Sequence, residues 1–198
     1  MKKLKMAIAA CVTSLSLFSF FPNAEASAAV HTVKAGDTLW KISAQYGVTA
    51  QKIKAANNGT SHMIYPGQKL FIPNAVISSA DKDLMAKLVS AEAKGEPYAG
   101  KVAVATVILN RLSSPDFPNS IHEIVYQVEG GHYAFTPVQN GTINKSADAA
   151  SKKAVNEALG FWGQGNGSLY FYNPKISTSK WIFSREVTVK IGNHVFAK

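Results

Sequence analysis

The 198-residue chain has a single cysteine, Cys11, and that residue falls in a segment that reads as a leader. Once the leader is removed there is no disulfide and no thiol nucleophile, so cysteine chemistry is excluded. His31, His62, His122, His132 and His194 are scattered, without HxxxH or HExxH spacing, which leaves no zinc-ligand set. There is no G-x-S-x-G elbow, phosphate-binding loop or dinucleotide fingerprint; Gly163-Gln164-Gly165-Asn166-Gly167 runs into a strand pattern rather than a helix and reads as a flexible loop. Acidic residues are few, 12 against 21 Lys and Arg, for a formal charge of +9. The lysines are dispersed and form no basic helix or finger, so nucleic acid is not the expected partner. An anionic surface such as a bacterial wall suits the charge better. No metal and no cofactor are expected, and carboxylate chemistry remains.

A long uninterrupted apolar run is missing too. Met6 to Phe21 is mainly apolar but is broken by Thr13, Ser14, Ser16 and Ser19, and is short for a membrane span. It follows the basic Met1-Lys2-Lys3-Leu4-Lys5 and precedes the small-x-small site Ala24-Glu25-Ala26. Residues 1–26 therefore read as a signal peptide, with Ala28 as the second candidate cleavage point. The expected product is secreted, free of the membrane and monomeric. Loss of Lys2, Lys3, Lys5 and Glu25 lowers its formal charge to +7. A composition 46% apolar supplies a core without disulfides.

Residues 30–73 form a compact unit in the sequence. His31 to Lys34 reads as a strand, Gly36-Asp37-Thr38 as a turn in which Asp37 or Thr38 caps the helix opening at Leu39, and Thr49 as the cap of a second helix. Asn57-Asn58-Gly59 closes that helix, and Lys69 to Pro73 is a last strand. This pattern, through Val33 to Ser43, Asn57 and Tyr65-Pro66-Gly67-Gln68-Lys69-Leu70-Phe71-Ile72-Pro73, resembles the LysM module, a βααβ unit that binds glycans containing N-acetylglucosamine. The resemblance implies a glycan groove between Gly36, Asp37, Thr38 and Leu39 on one side and Ile64, Tyr65 and Pro66 on the other. Trp40, Ile42 and Leu70 read as core. Residues 74–80 form a short linker, and 81–198 a second domain.

In that domain Leu84, Met85, Leu88 and Val89 mark a buried helix face, and the next position on the face is Glu92. Gly95 reads as the stop and Pro97 as the barrier to continuation, which puts Glu92 in the last turn. Partial burial and the helix dipole both favour its protonated form, the form a general acid requires. The almost wholly apolar run Val102 to Leu112 reads as the central helix. Ser120 to Glu123 has capping-box form ahead of a third helix. Gln127 to Asn144 reads as a long loop, Ser146 to Leu159 as a helix, and Leu169–Tyr172, Trp181–Ser184, Val187–Ile191 and His194–Phe196 as strands, the last two joined at Gly192-Asn193. Helices first and strands last make an α+β domain.

The remaining acids divide by position. Asp81 and Asp83 read as helix-start residues, Asp148 and Glu157 as solvated helix positions, and Glu96 as a structural partner of the second helix or of Arg111. The segment Val89 to Arg111, with Phe117-Pro118, Ala134-Phe135-Thr136, Phe171-Tyr172-Asn173-Pro174, Ser179-Lys180-Trp181 and Gly192 to Phe196, resembles the SleB/CwlJ-type cell wall hydrolases of spore-forming bacteria. That resemblance implies a lysozyme- or lytic-transglycosylase-like α+β catalytic domain acting on peptidoglycan, with Glu92 as catalytic acid. Thr136, Tyr172, Asn173 and Trp181 are the candidates for sugar binding. Lytic transglycosylation with one glutamate is the expected reaction, in spore cortex lysis or on vegetative wall. The alternatives are a hydrolytic muramidase or glucosaminidase that uses Glu129, Glu96 or Glu186 as second carboxylate, and a non-catalytic wall-binding or spore-coat protein.

Overall fold

The computed structural model describes residues 29–59, 63–74 and 77–198. The expected signal peptide, His62 and part of the expected linker lie outside the described residues. In the first unit β1 (Ala29–Thr32) pairs antiparallel with β2 (Lys69–Ile72), in register from Ala29 opposite Ile72 to Thr32 opposite Lys69. Alternation along β2 turns Leu70 and Ile72 inward, where they meet Val33, Leu39, Ile42, Val48 and Ile53 from the two helices and their connections. Thr38, not Asp37, caps α1 (Leu39–Tyr46) by accepting from the Lys41 N–H, and Thr49 caps α2 (Ala50–Ala56) in the same way through Lys52. Asn57 then ties the end of α2 to β2: its Nδ2 donates to the carbonyls of Ile53 and Phe71, and its Oδ1 accepts from the Phe71 N–H.

The second unit is built around α4 (Tyr98–Ser113), the expected central helix. Val104, Ala105, Val107, Ile108 and Leu109 are fully buried between α3 (Ser79–Glu92) and α7 (Ala149–Gly160). Ser78 and Asp81 close a capping box that starts α3, a little before the expected start at Asp81. The short helix α5 (Ile121–Val125) follows α4 and is capped by Ser120.

The stretch expected as one long loop holds more structure than its polar composition indicates. A two-residue ladder joins β3 (Val128–Glu129) to β4 (His132–Tyr133), followed by α6 (Thr136–Gln139) and a 3-10 turn at Thr142–Asn144. The next helix starts at Ala149, later than expected, because Asp148 accepts from the Ser151 N–H and so stands outside it as the cap.

The closing sheet has three strands in the order β5 (Tyr170–Tyr172), β7 (His194–Ala197), β6 (Val187–Ile191). The expected fourth strand at Trp181–Ser184 is instead a single helical turn, α8 (Lys180–Phe183). Of its residues only Ile182 is buried, while Trp181 and Phe183 are both exposed, and the Ser184 hydroxyl folds back onto the Trp181 carbonyl. Such a segment has no second buried position to hold it in a sheet.

The two units dock. Lys82 Nζ donates to the carbonyls of Ala44 (2.7 Å) and Gln45 (3.2 Å) near the C-terminus of α1, and the Ile77 N–H reaches the Gly47 carbonyl. Trp40, expected in the core of the first unit, lies at this junction, with its ring 6.1 Å from that of Phe161 and its indole against Gly160, where no side chain would fit. Among the described residues no helix is long and apolar enough to cross a membrane.

Candidate active site

Met85, Leu88 and Val89 are fully buried, and Glu92 ends α3 on the same face. The chain then turns through Gly95, at φ 83°, into Pro97, which precedes α4. This corner leaves the Glu92 carboxyl on the wall of an open cleft of about 500 Å³. Burial pushes its pKa up to about 7, against an opposing pull from Arg111. A carboxyl in this state is largely protonated in mildly acidic water and can both donate and recover a proton near neutrality.

Arg111 is the main residue of the site that sequence reasoning gave no role in substrate chemistry. It sits near the end of α4, is buried, and donates from Nε to the Leu169 carbonyl at 2.8 Å. Its guanidinium lies 4.8 Å from the ring centre of Phe117, 5.1 Å from Phe135 and 5.6 Å from Tyr170. Burial lowers its pKa, partly offset by Tyr170, Glu129 and Glu92, and a delocalised guanidinium against aromatic faces tolerates such burial better than a lysine ammonium would. The signal was present in the sequence as a cation closing an otherwise apolar helix. His194 was also passed over as scattered. It sits in β7, where all four residues are buried, and lines the cleft, while its Nδ1 is buried without a hydrogen-bond partner among the described residues. Burial lowers its pKa, with Glu96 acting in the opposite direction.

The fold brings three of the four sugar-binding candidates to the Glu92 cleft. Thr136 stands exposed at the start of α6, Tyr172 at the end of β5, and Asn173 in the turn that follows. Asn173 Oδ1 accepts from the Lys175 N–H, so part of its capacity maintains that turn. Trp181 lines a second cleft of about 270 Å³, whose walls share Arg111, Phe171 and Tyr172 with the first. The two make one groove, with Glu92 in one part and Glu129 and Trp181 in the other.

The other acids are committed elsewhere. Glu96 lines the cleft, but its two oxygens accept from the Asn193 N–H (2.9 Å) and Nδ2 (3.1 Å), rather than pairing with Arg111 or α4 as expected. Burial alone would raise its pKa; the Asn193 hydrogen bonds, with help from His194, lower it on balance. Asp148 is exposed, as expected, but stands outside the helix as the α7 cap, and it pairs with the buried Lys101 at 3.0 Å. The Ser151 N–H and Lys101 hold its carboxyl well below the usual range. Glu157 accepts from the Tyr98 hydroxyl at 2.8 Å, and Glu186 pairs with Lys198 at 3.1 Å, away from both parts of the groove.

In the first unit the two loops expected to hold glycan leave the same end of the β1–β2 pair, joined by the Val33 N–H to the Gln68 carbonyl and the Gly67 N–H to the Val33 carbonyl. Tyr65 and Pro66 are exposed and Ile64 half-buried. On the opposite loop the Gly36 carbonyl accepts from Lys41 Nζ, Asp37 accepts from His31 Nε2 and the Lys34 N–H, and Thr38 serves as cap. Leu39 departs from the expectation: its side chain is in the core, since it opens α1 facing Ile42 and Leu70, and only its backbone could meet a ligand.

Compared with known families, the chain matches cell wall hydrolases over residues 95–197 and the LysM domain over residues 31–73. The chain belongs to the cell wall hydrolase family. The matched segment begins just past Glu92, so it contains Arg111, Thr136, Tyr172, Asn173, Trp181 and His194, while Glu92 stands on its place in the cleft. A spore cortex-lytic enzyme of Bacillus cereus is 40% identical over 160 residues, covering 80% of this chain and 59% of that protein. The counterpart in Bacillus subtilis is 41% identical over 121 residues, 61% of this chain and 38% of that one. This cell wall hydrolase thus spans about three fifths or less of these relatives. Among solved structures, the catalytic domain of the germination-specific lytic transglycosylase SleB from Bacillus anthracis is 43% identical, with a TM-score of 0.56 over 61% of this chain and 96% of that one. The catalytic domain of the Bacillus cereus SleB protein gives the same score and identity.

Proposed function

We propose that this protein cleaves the glycan strand of peptidoglycan as a lytic transglycosylase, with Glu92 as its one catalytic carboxyl. The observation that carries the reading is a carboxyl poised near pH 7 on the wall of an open groove whose remaining acids are held by other partners or lie at its far part. Glu92 gives its proton to the glycosidic oxygen as the bond to C1 of the muramoyl sugar breaks. The resulting carboxylate, with Arg111 nearby, faces the cation developing at C1. It then takes the proton of the 6-hydroxyl as that oxygen closes on C1. The product is a 1,6-anhydro sugar, and Glu92 is again protonated.

Thr136, Tyr172 and Asn173 are placed to hold the sugar in the Glu92 cleft, and Trp181 to stack a sugar further along the groove. The LysM unit contributes wall affinity through the loops at Gly36–Thr38 and Ile64–Pro66, and raises the local glycan concentration. The protein acts at the cell wall or spore, and cortex is the substrate we favour on the strength of its relatives.

Mass spectrometry of fragments released from purified cortex and vegetative peptidoglycan tests the reaction. Anhydro-muropeptides from the wild type, and none from Glu92→Gln, are expected. Reducing ends would select hydrolysis and point to Glu129, the acid that lines the far part of the groove. Wall binding without release of any fragment would select the adhesive role.

A further inference from the structure

A smaller cleft of about 290 Å³ lies beside the catalytic one and shares Lys94 with it. One wall is Lys87, Ser90 and Ala91, at the i, i+3, i+4 spacing of one face of α3, with Lys94 just past its end. The opposite wall is Thr142, Lys145 and Ser146, from the 3-10 turn and the segment that leads into α7. Its charge is lopsided. Asp148, the one carboxylate lining it, is neutralised by Lys101 and receives the Ser90 hydroxyl at 3.2 Å, and Lys87 is paired with Asp83 at 2.8 Å. Lys94 and Lys145 form no ion pair among the described residues and leave two cationic heads at a concave surface edged with hydroxyls. Nothing in the proposed chemistry of Glu92 uses these groups.

We infer that this cleft is an anion-binding subsite for the free carboxylates of the peptide stem on a muramoyl residue seated in the catalytic groove. The inference rests on the glycan-cleaving reading of that groove. A stem branches from the lactyl ether of the sugar and must leave the glycan path sideways, and the smaller cleft adjoins the catalytic one at Lys94. Its reach also fits: Lys87 to the end of α3 at Glu92 spans about 8 Å of helix, the length of about two extended residues. Lysines meet carboxylates here as mobile point charges, which suits a stem of variable composition.

The test compares the wild-type protein with Lys145→Glu, a change at an exposed loop residue, on three substrates. These are peptidoglycan with intact stems, the same material after acid removal of wall phosphate polymers, and glycan strands stripped of stems by an amidase. The ratio of kcat/KM on stem-bearing over stripped glycan is expected to fall about tenfold in Lys145→Glu, through KM, with or without the phosphate polymers. An unchanged ratio overturns the subsite. A fall confined to the phosphate-bearing wall also overturns it and gives the cleft to polymer phosphate. If the wild type cleaves neither stem-bearing nor stripped strands, the glycan-cleaving reading itself has failed, whereas cleavage of stripped strands with an unchanged ratio removes the subsite alone.

Discussion

Glu92 couples the stability of the fold to its chemistry. Its carboxyl titrates near 7 in the folded protein and near 4.5 when exposed, so between those values the folded chain holds a proton that the unfolded chain has lost. Stability therefore falls as pH rises from about 4.5 to 7 and then levels, a loss of about 3 kcal/mol at 1.36 kcal/mol per unit. Glu92→Gln removes the titration. Urea unfolding should find the variant close to wild type at pH 4 and more stable by up to about 3 kcal/mol at pH 8, while the proposed mechanism leaves it without activity. Arg111 opposes the shift, so Arg111→Met should raise the Glu92 pKa further and move the alkaline limb of activity upward, while lowering stability by about 2–4 kcal/mol through the lost Leu169 contact and aromatic packing. Glu92 was legible in the sequence because a carboxylate on an apolar helix face is conspicuous. Arg111 and His194 were given no part in the chemistry, since what defines them is the aromatic residues around them, drawn from segments that a periodicity reading cannot bring together.

At the scale of elements, the corner between α3 and α4 is fixed by the β6–β7 turn. Asn193 grips Glu96, and Gly192, at φ 59°, packs its bare α-carbon against the Glu96 carboxylate and the Pro97 ring. An added methyl meets both, in a backbone region that L side chains rarely adopt. Gly192→Ala should cost about 1–3 kcal/mol in denaturant unfolding and lower activity by displacing the corner that presents Glu92. The hairpin itself was readable from Gly192-Asn193 between two apolar runs, and the helix pair from its spacing. Their contact was not readable, because it joins segments 97 residues apart. Trp181 misled for a related reason: a run of aromatic and β-branched residues has strand propensity, yet with Ile182 alone buried it serves the groove as a helical turn.

On the scale of the whole molecule, a short linker predicts nearness, but docking depends on surface fit that composition does not reveal. Gly160 gives Trp40 its seat and Lys82 ties down the end of α1. Gly160→Val should expel Trp40, separate one calorimetric transition into two, and shift the indole emission to longer wavelength. An unsplit transition would mean that the units cohere by other contacts. The central claim is that a single proton on Glu92 drives glycan cleavage, and the pH profile of initial cleavage rate for wild type and Glu92→Gln on one purified peptidoglycan tests it most directly. The account predicts a wild-type rate that falls about tenfold per pH unit above a limb near 7, and a Gln variant slower by at least about a thousandfold at every pH, in line with loss of an essential general acid. A wild-type rate flat from pH 5 to 9, or a Gln variant that keeps a substantial fraction of the activity, would contradict it.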